Sequence, residues 1–124
     1  MAEFNTFIKN EGDINLIYLN GYLDAHTAPK LETDFSDLLE NNNFKIVVNF
    51  KDLAYISSAG LGVFMAFIEK IREQNGDIKL TAMNEKVYNI FDLLGFPLLY
   101  EIFKSDEEAI NKFKEMNNPE NDKK

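Results

Sequence analysis

The chain of 124 residues contains no cysteine and no tryptophan, and a single histidine, His26. Without thiols it has neither a disulfide framework nor a thiolate metal site, which fits a reducing compartment and predicts a cytoplasmic protein. One imidazole makes no metal cluster, and no His or Cys stands three or four residues away to assist His26. No stretch approaches about 18 uncharged apolar residues, so no membrane insertion is expected. The opening segment, MAEFNTFIKNEGD, lacks a basic stretch ahead of a long apolar run, so no secretory signal is expected there. Positive charge is also scarce: 13 Lys and Arg face 21 Asp and Glu, a formal net charge of −8. A surface of that sign repels phosphates, which disfavours a nucleic acid or an anionic bilayer and leaves a protein or small molecule as partner.

Familiar catalytic patterns are missing too. There is no phosphate-binding GxxxxGK loop and no dinucleotide GxGxxG. Gly60-Leu61-Gly62 is more simply a helix start that approaches a sheet closely. No Ser-His-acid arrangement can be assembled around the lone His26, and the carboxylates fall in no catalytic pattern. The chain is therefore read as a non-enzyme with no cofactor.

What is present is a core. Hydrophobic residues make up 45% of the chain and 11 residues are Phe, enough for one domain over residues 1–116 with a polar, disordered tail over 117–124. The chain is organised around residues 44–68, FKIVVNFKDLAYISSAGLGVFMAFI. Phe44 to Phe50 reads as a strand with no wet face, a polar turn follows, and a helix runs from Leu61 to about Asn75.

The other elements fall around this unit. Phe4 to Lys9 and Ile14 to Asn20 read as an antiparallel hairpin about Gly12, with Gly21 ending the second strand. Thr27 is a plausible N-cap, with Pro29 in the first turn of a helix carrying Leu31, Phe35, Leu38 and Leu39. Asn41 to Asn43 stop it. Asp77 to Ala82 is a short strand, and Asn84 can cap a helix bearing Val87, Ile90, Phe91 and Leu94. Leu98 to Phe103 reads as a last strand, and Ser105 with Glu108 as a capping box ahead of Ala109, Ile110, Phe113 and Met116. The order β-β-α-β-α-β-α-β-α implies an α/β fold: a mixed, mostly parallel sheet with helices.

Two hydroxyls, Ser57 and Ser58, stand where the buried strand gives way to the buried helix. In an open α/β sheet the crevice beyond the strand ends is where recognition gathers. A serine there can satisfy a free helix N–H, stabilising by about 1 kcal/mol. It can equally accept a phosphate, which adds about −1.5 to −2 charges, is favoured by the helix N-terminus and repels an acidic partner. On the following helix, Leu61, Phe64, Met65 and Ile68 share a face, while Val63 lies nearly opposite and Phe67 to one side. Val63 and Phe67 are either a wide core contact toward the helix of Val87 to Leu94 or a partner-binding surface beside the serines.

Asp52 to Val63, DLAYISSAGLGV, resembles the D-S-S/A/T-G-L-G signature of the STAS domain family, specifically its bacterial anti-sigma factor antagonists. Leu19 to Leu31, LNGYLDAHTAPKL, is similar to the family's second marker, G-x-L/I-D-x-x-T/N-A, and the likeness extends over about residues 4–113. The resemblance implies a small switch protein. Its unphosphorylated form captures an anti-sigma factor that is also a serine kinase and so frees a sigma factor; a phosphatase resets it. By position the acceptor is Ser58, with Ser57 the runner-up; Asp24, Thr27, Ala59 and Gly60 complete the neighbourhood. Ser57 stands where the family has aspartate, which removes a charge beside the acceptor. Two other readings remain: a phosphorylation-independent scaffold subunit of a signalling or transport complex, and a nucleotide-binding module.

Overall fold

The computed structural model describes residues 3–116, so the tail expected over 117–124 lies outside the described residues, as does the side chain of Met116. The elements are β1 (Phe4–Glu11), β2 (Ile14–Leu23), α1 (Ala28–Glu40), β3 (Lys45–Ile56), α2 (Ser58–Glu73), β4 (Asp77–Thr81), α3 (Glu85–Leu93), a 3-10 turn (Phe96–Leu98), β5 (Ile102–Phe103) and α4 (Asp106–Met116). One sheet of order β1-β2-β3-β4-β5 contains all the strands. The hairpin β1–β2 is antiparallel and the other three pairs are parallel, as the alternation of elements implies.

Helices cover the two faces unequally. Alternate residues of the strands (Ile17, Leu19, Ile46, Val48, Phe50, Ile78, Leu80) pack under α1, α2 and α3. The aromatic centre of that layer is a chain of rings: Phe35–Phe64 at 5.8 Å, Phe50–Phe64 at 5.7 Å and Phe50–Phe91 at 5.4 Å between centroids. The opposite face receives α4, whose Ala109, Ile110 and Phe113 rest on Ile14, Leu16 and Val47. This two-sided cover is why Ile46 to Phe50 shows no polar alternation.

The polar residues of β4 are buried beneath α4. Lys79, at 1% exposure, donates to Asp77 Oδ2 at 2.9 Å and Glu101 Oε1 at 2.5 Å, with Phe113 beneath its ammonium at 4.7 Å. A buried lysine needs such partners, because an unpaired charge in that setting costs several kcal/mol (about 3–5 when a partner is removed). Asp106, in the first turn of α4, accepts from Tyr18 Oη at 2.9 Å, Asn49 Nδ2 at 2.9 Å and Thr81 Oγ1 at 2.6 Å. One carboxylate thus ties α4 to three adjacent strands.

Several local expectations are corrected. Gly21 does not end β2; it sits inside the strand at φ +101, and a Cβ there would meet Glu3 O at 2.0 Å. β3 does not stop at Phe50 but continues to Ile56, through two register shifts against β2. Leu94 lies past α3 and is exposed, and only Ile102–Phe103 pairs as the last strand, Leu98 being the end of the 3-10 turn.

Candidate functional site

The site forms where β2 and β3 end side by side. Ser57 N–H donates to Leu23 O at 2.9 Å, so the loop after β3 is tied to the loop after β2 by backbone alone. Ser57 is the N-cap of α2: its backbone is extended (φ −100, ψ 173) and its Oγ accepts from Gly60 N at 3.3 Å. Its carbonyl takes the Leu61 N–H at 3.0 Å. Gly60 is required here by space, since a Cβ would lie 2.7 Å from Leu23 Cγ and 3.1 Å from Leu23 O. The helix start is thereby pressed against the sheet.

Ser58 is the first residue of α2 and is exposed, as is Ala59, whereas Ser57 is only partly so. No acidic residue occupies the first turn of α2. Ser58 therefore offers a free hydroxyl at the positive end of a 16-residue helix, where an added phosphate is favoured. The two serines, which the resemblance ranked with Ser58 first, differ in kind: Ser57 is a structural cap and Ser58 is exposed.

The neighbouring loop is wound on Asp24. Its Oδ1 accepts from His26 N at 2.9 Å and Thr27 N at 3.1 Å, and its carbonyl from Ala28 N at 2.8 Å. Thr27 is not the side-chain cap expected of it. Its hydroxyl instead closes the loop, accepting from Asp24 N at 2.8 Å and donating to Tyr22 O at 2.8 Å. No side chain caps α1; the Asp24 carbonyl takes the first helical amide and its carboxylate holds the two amides before it. Among the described residues no hydrogen bond joins Asp24 to Ser58; the two are neighbours through Leu23 and Ser57.

Val63 and Phe67 are not on a free surface. Both are buried, at 4% and 8% exposure, while Met65, expected on the inner stripe, is 47% exposed. α2 is turned so that Phe67 stacks on Phe35 of α1 at 5.3 Å. The core contact is wide, but α1 makes it at Phe67, not the helix carrying Val87.

A feature that pattern reading missed is an exposed aromatic pair, Tyr22 and Tyr55, on the opposite face of the sheet at the same strand ends. Their rings lie 6.0 Å apart. The signal was present as a tyrosine within each motif-bearing stretch, yet alternation counted from Leu53 would send Tyr55 inward. An extra residue between the pairs Gly21↔Leu53 and Tyr22↔Tyr55 reverses that.

Comparison with known proteins places these features in context. The family model of the STAS domain matches residues 7–109. The anti-sigma-B factor antagonist of Bacillus subtilis (strain 168) is 29% identical over 102 residues, covering 82% of this chain and 92% of that protein. An anti-sigma factor antagonist from Mycobacterium paratuberculosis superposes with a TM-score of 0.81 at 18% identity, over 89% of this chain and 93% of that one. The Bacillus protein SpoIIAA superposes at 20% identity in both its forms. Unphosphorylated, it gives a TM-score of 0.78 over 89% of this chain and 96% of that one. Phosphorylated, it gives 0.69 over 90% and 99%.

Proposed function

The chain belongs to the STAS domain family, and from that premise we propose that it is a cytoplasmic anti-sigma factor antagonist switched by phosphorylation of Ser58. Unphosphorylated, it binds an anti-sigma factor that is also a serine kinase; phosphorylated, it releases that partner until a phosphatase removes the group. The observation that carries the reading is the division between the serines: Ser57 is spent on the Gly60 amide, and Ser58 stands exposed at the first position of α2. The relative in Bacillus subtilis is named an anti-sigma-B factor antagonist, and SpoIIAA exists in phosphorylated and unphosphorylated forms. The first name supports the antagonist role, and the two forms of SpoIIAA support the phosphorylation switch.

The switch follows from charge. A phosphate at Ser58 adds about −1.5 to −2 charges to a chain already at −8. It is tolerated within the chain by the free N–H groups and dipole of α2. Across a closed interface it must be desolvated against whatever faces it, including the nucleotide phosphates of a kinase. That cost exceeds the about 1 kcal/mol that one hydroxyl hydrogen bond contributes.

The test is incubation with the cognate anti-sigma factor kinase and ATP, followed by mass mapping of the modified residue. Label on Ser58, lost in Ser58→Ala and kept in Ser57→Ala, is the expected result. Label on Ser57 in the wild-type chain overturns the assignment. Absence of label combined with stable kinase binding favours a phosphorylation-independent scaffold, the second reading, which Ser57 in place of the family's aspartate supports.

A further inference from the structure

On the sheet face that carries α4, the helix packs on Ile14, Leu16 and Val47 and leaves the ends of β2 and β3 bare. Tyr22 and Tyr55 occupy those ends, 46% and 42% exposed, paired across the two strands with ring planes 34° apart. Tyr55 faces outward only because β3 holds an extra residue at Ala54, which lets Leu53 and Ile56 both enter the core. Bulges of this kind re-aim side chains beside functional sites. Tyr22 is two residues before Asp24 and Tyr55 three before Ser58. The pair therefore borders the loops that hold the acceptor.

One carboxylate stands on the same face as the pair. Asp52, on the same face opposite Asn20, is exposed and makes no ion pair among the described residues. It closes an open depression of about 420 Å³ whose other walls include Phe7, Tyr18, Asn5 and Asn20. Lys9 already lies over the Tyr18 ring, 5.5 Å from its centroid, so this face accepts an ammonium group on its aromatics. Among the described residues no cation lies over the Tyr22 or Tyr55 ring. Aromatic faces beside an unpaired carboxylate match an arginine or lysine, which stacks on the ring and pairs with the carboxylate.

We propose that Tyr22, Tyr55 and Asp52 form a docking surface for a cationic side chain of the kinase that engages Ser58. This rests on the function proposed above and assigns the partner's contact chemistry: a basic patch reaching past the acceptor onto the sheet. Paired aromatics with a flanking charge are the composition that concentrates binding energy at protein interfaces.

Calorimetric titration of the ADP-loaded cognate anti-sigma factor kinase, alongside the Ser58 labelling assay, tests it. Tyr22→Ala/Tyr55→Ala is expected to raise Kd about thirtyfold, and Tyr22→Phe/Tyr55→Phe by no more than about threefold. Asp52→Lys is expected to weaken binding about tenfold and to flatten its dependence on salt. All three side chains are exposed, so circular dichroism and melting of these variants should match wild type. If the double alanine variant melts early, Asp52→Lys carries the test alone, and unchanged affinity overturns the proposal. Wild-type binding and labelling with an unchanged Kd in Tyr22→Ala/Tyr55→Ala defeats the docking surface and leaves the antagonist reading standing. A wild-type chain that is neither bound nor labelled defeats both.

Discussion

Ser57 turns its hydroxyl back onto the Gly60 amide, and Ser58, one residue on, is exposed. Substituting each by alanine should separate stability from modification. Ser57→Ala removes an N-cap and is expected to cost about 1 kcal/mol, read as a lowered melting temperature, with labelling of Ser58 intact. Ser58→Ala removes no side-chain hydrogen bond among the described residues and should melt as wild type. The converse pattern in the melts would exchange the roles of the two serines. Asp24 belongs with Ser57: with its Oδ1 on two backbone amides, Asp24→Ala is expected to lose about 1 kcal/mol through the loop. Gly60 tolerates no side chain, because a Cβ would sit 2.7 Å from Leu23 Cγ. Gly60→Ala should therefore cost about 1–3 kcal/mol by overpacking, and should displace the acceptor loop with it.

At the scale of the element, α2 decides what the site can present. Its buried arc runs through Gly60, Leu61, Val63, Phe64, Phe67, Ile68 and Ile71, broader than the stripe its apolar spacing suggests. The cause is that α2 faces the sheet and α1 together, and the second neighbour draws Phe67 onto Phe35. Phe67→Ala is accordingly a core truncation, expected to lose about 3–5 kcal/mol in urea unfolding. Its effect on kinase binding, corrected for the unfolded fraction, should be small. A folded Phe67→Ala with wild-type stability and weakened binding would return the residue to the surface. Tyr22 and Tyr55 make the opposite case, aromatics that the elements beneath them keep outside.

At the scale of the molecule, the sheet is covered on one face by three helices and on part of the other by α4, and Asp106 fastens α4 in place. Tyr18, which donates to Asp106, is pushed up to about 12 from its ordinary 10.0, first by burial and then by the Asp106 carboxylate. Its folded pKa is raised, so the native state holds the proton after the unfolded state has lost it. This share of stability is complete below pH 10 and disappears as pH rises to about 12. Tyr100, also pushed up chiefly by burial, adds to the same loss. Urea unfolding across that range should show the decline. Asp106→Ala should lower the apparent pKa of Tyr18 in a phenolate absorbance titration. It should also cost about 1–3 kcal/mol at neutral pH, because buried Thr81 and Asn49 lose an acceptor. An unshifted Tyr18 in that variant would mean burial acts alone.

The order of elements, the mixed sheet and the two motif-bearing loops were legible in the sequence, because periodicity, caps and turn residues act over a few neighbours. Asn84, for example, caps α3 by accepting from Val87 N, as its spacing suggests. The capping pair Ser105 and Glu108 likewise stands at the start of α4. Tertiary structure alone decided which side of α2 is buried, since that depends on where α1 lies. It also decided that β4's Lys79 and Thr81 are interior, since α4 covers them from a distant part of the chain. The bulge that turns Tyr55 outward is a property of two strands in register, not of either one. The ranking of Ser58 over Ser57 came with the resemblance, and the bond that holds Ser57 is a local cap onto Gly60 N; tertiary structure adds the close seat of Gly60 on Leu23 that fixes the loop.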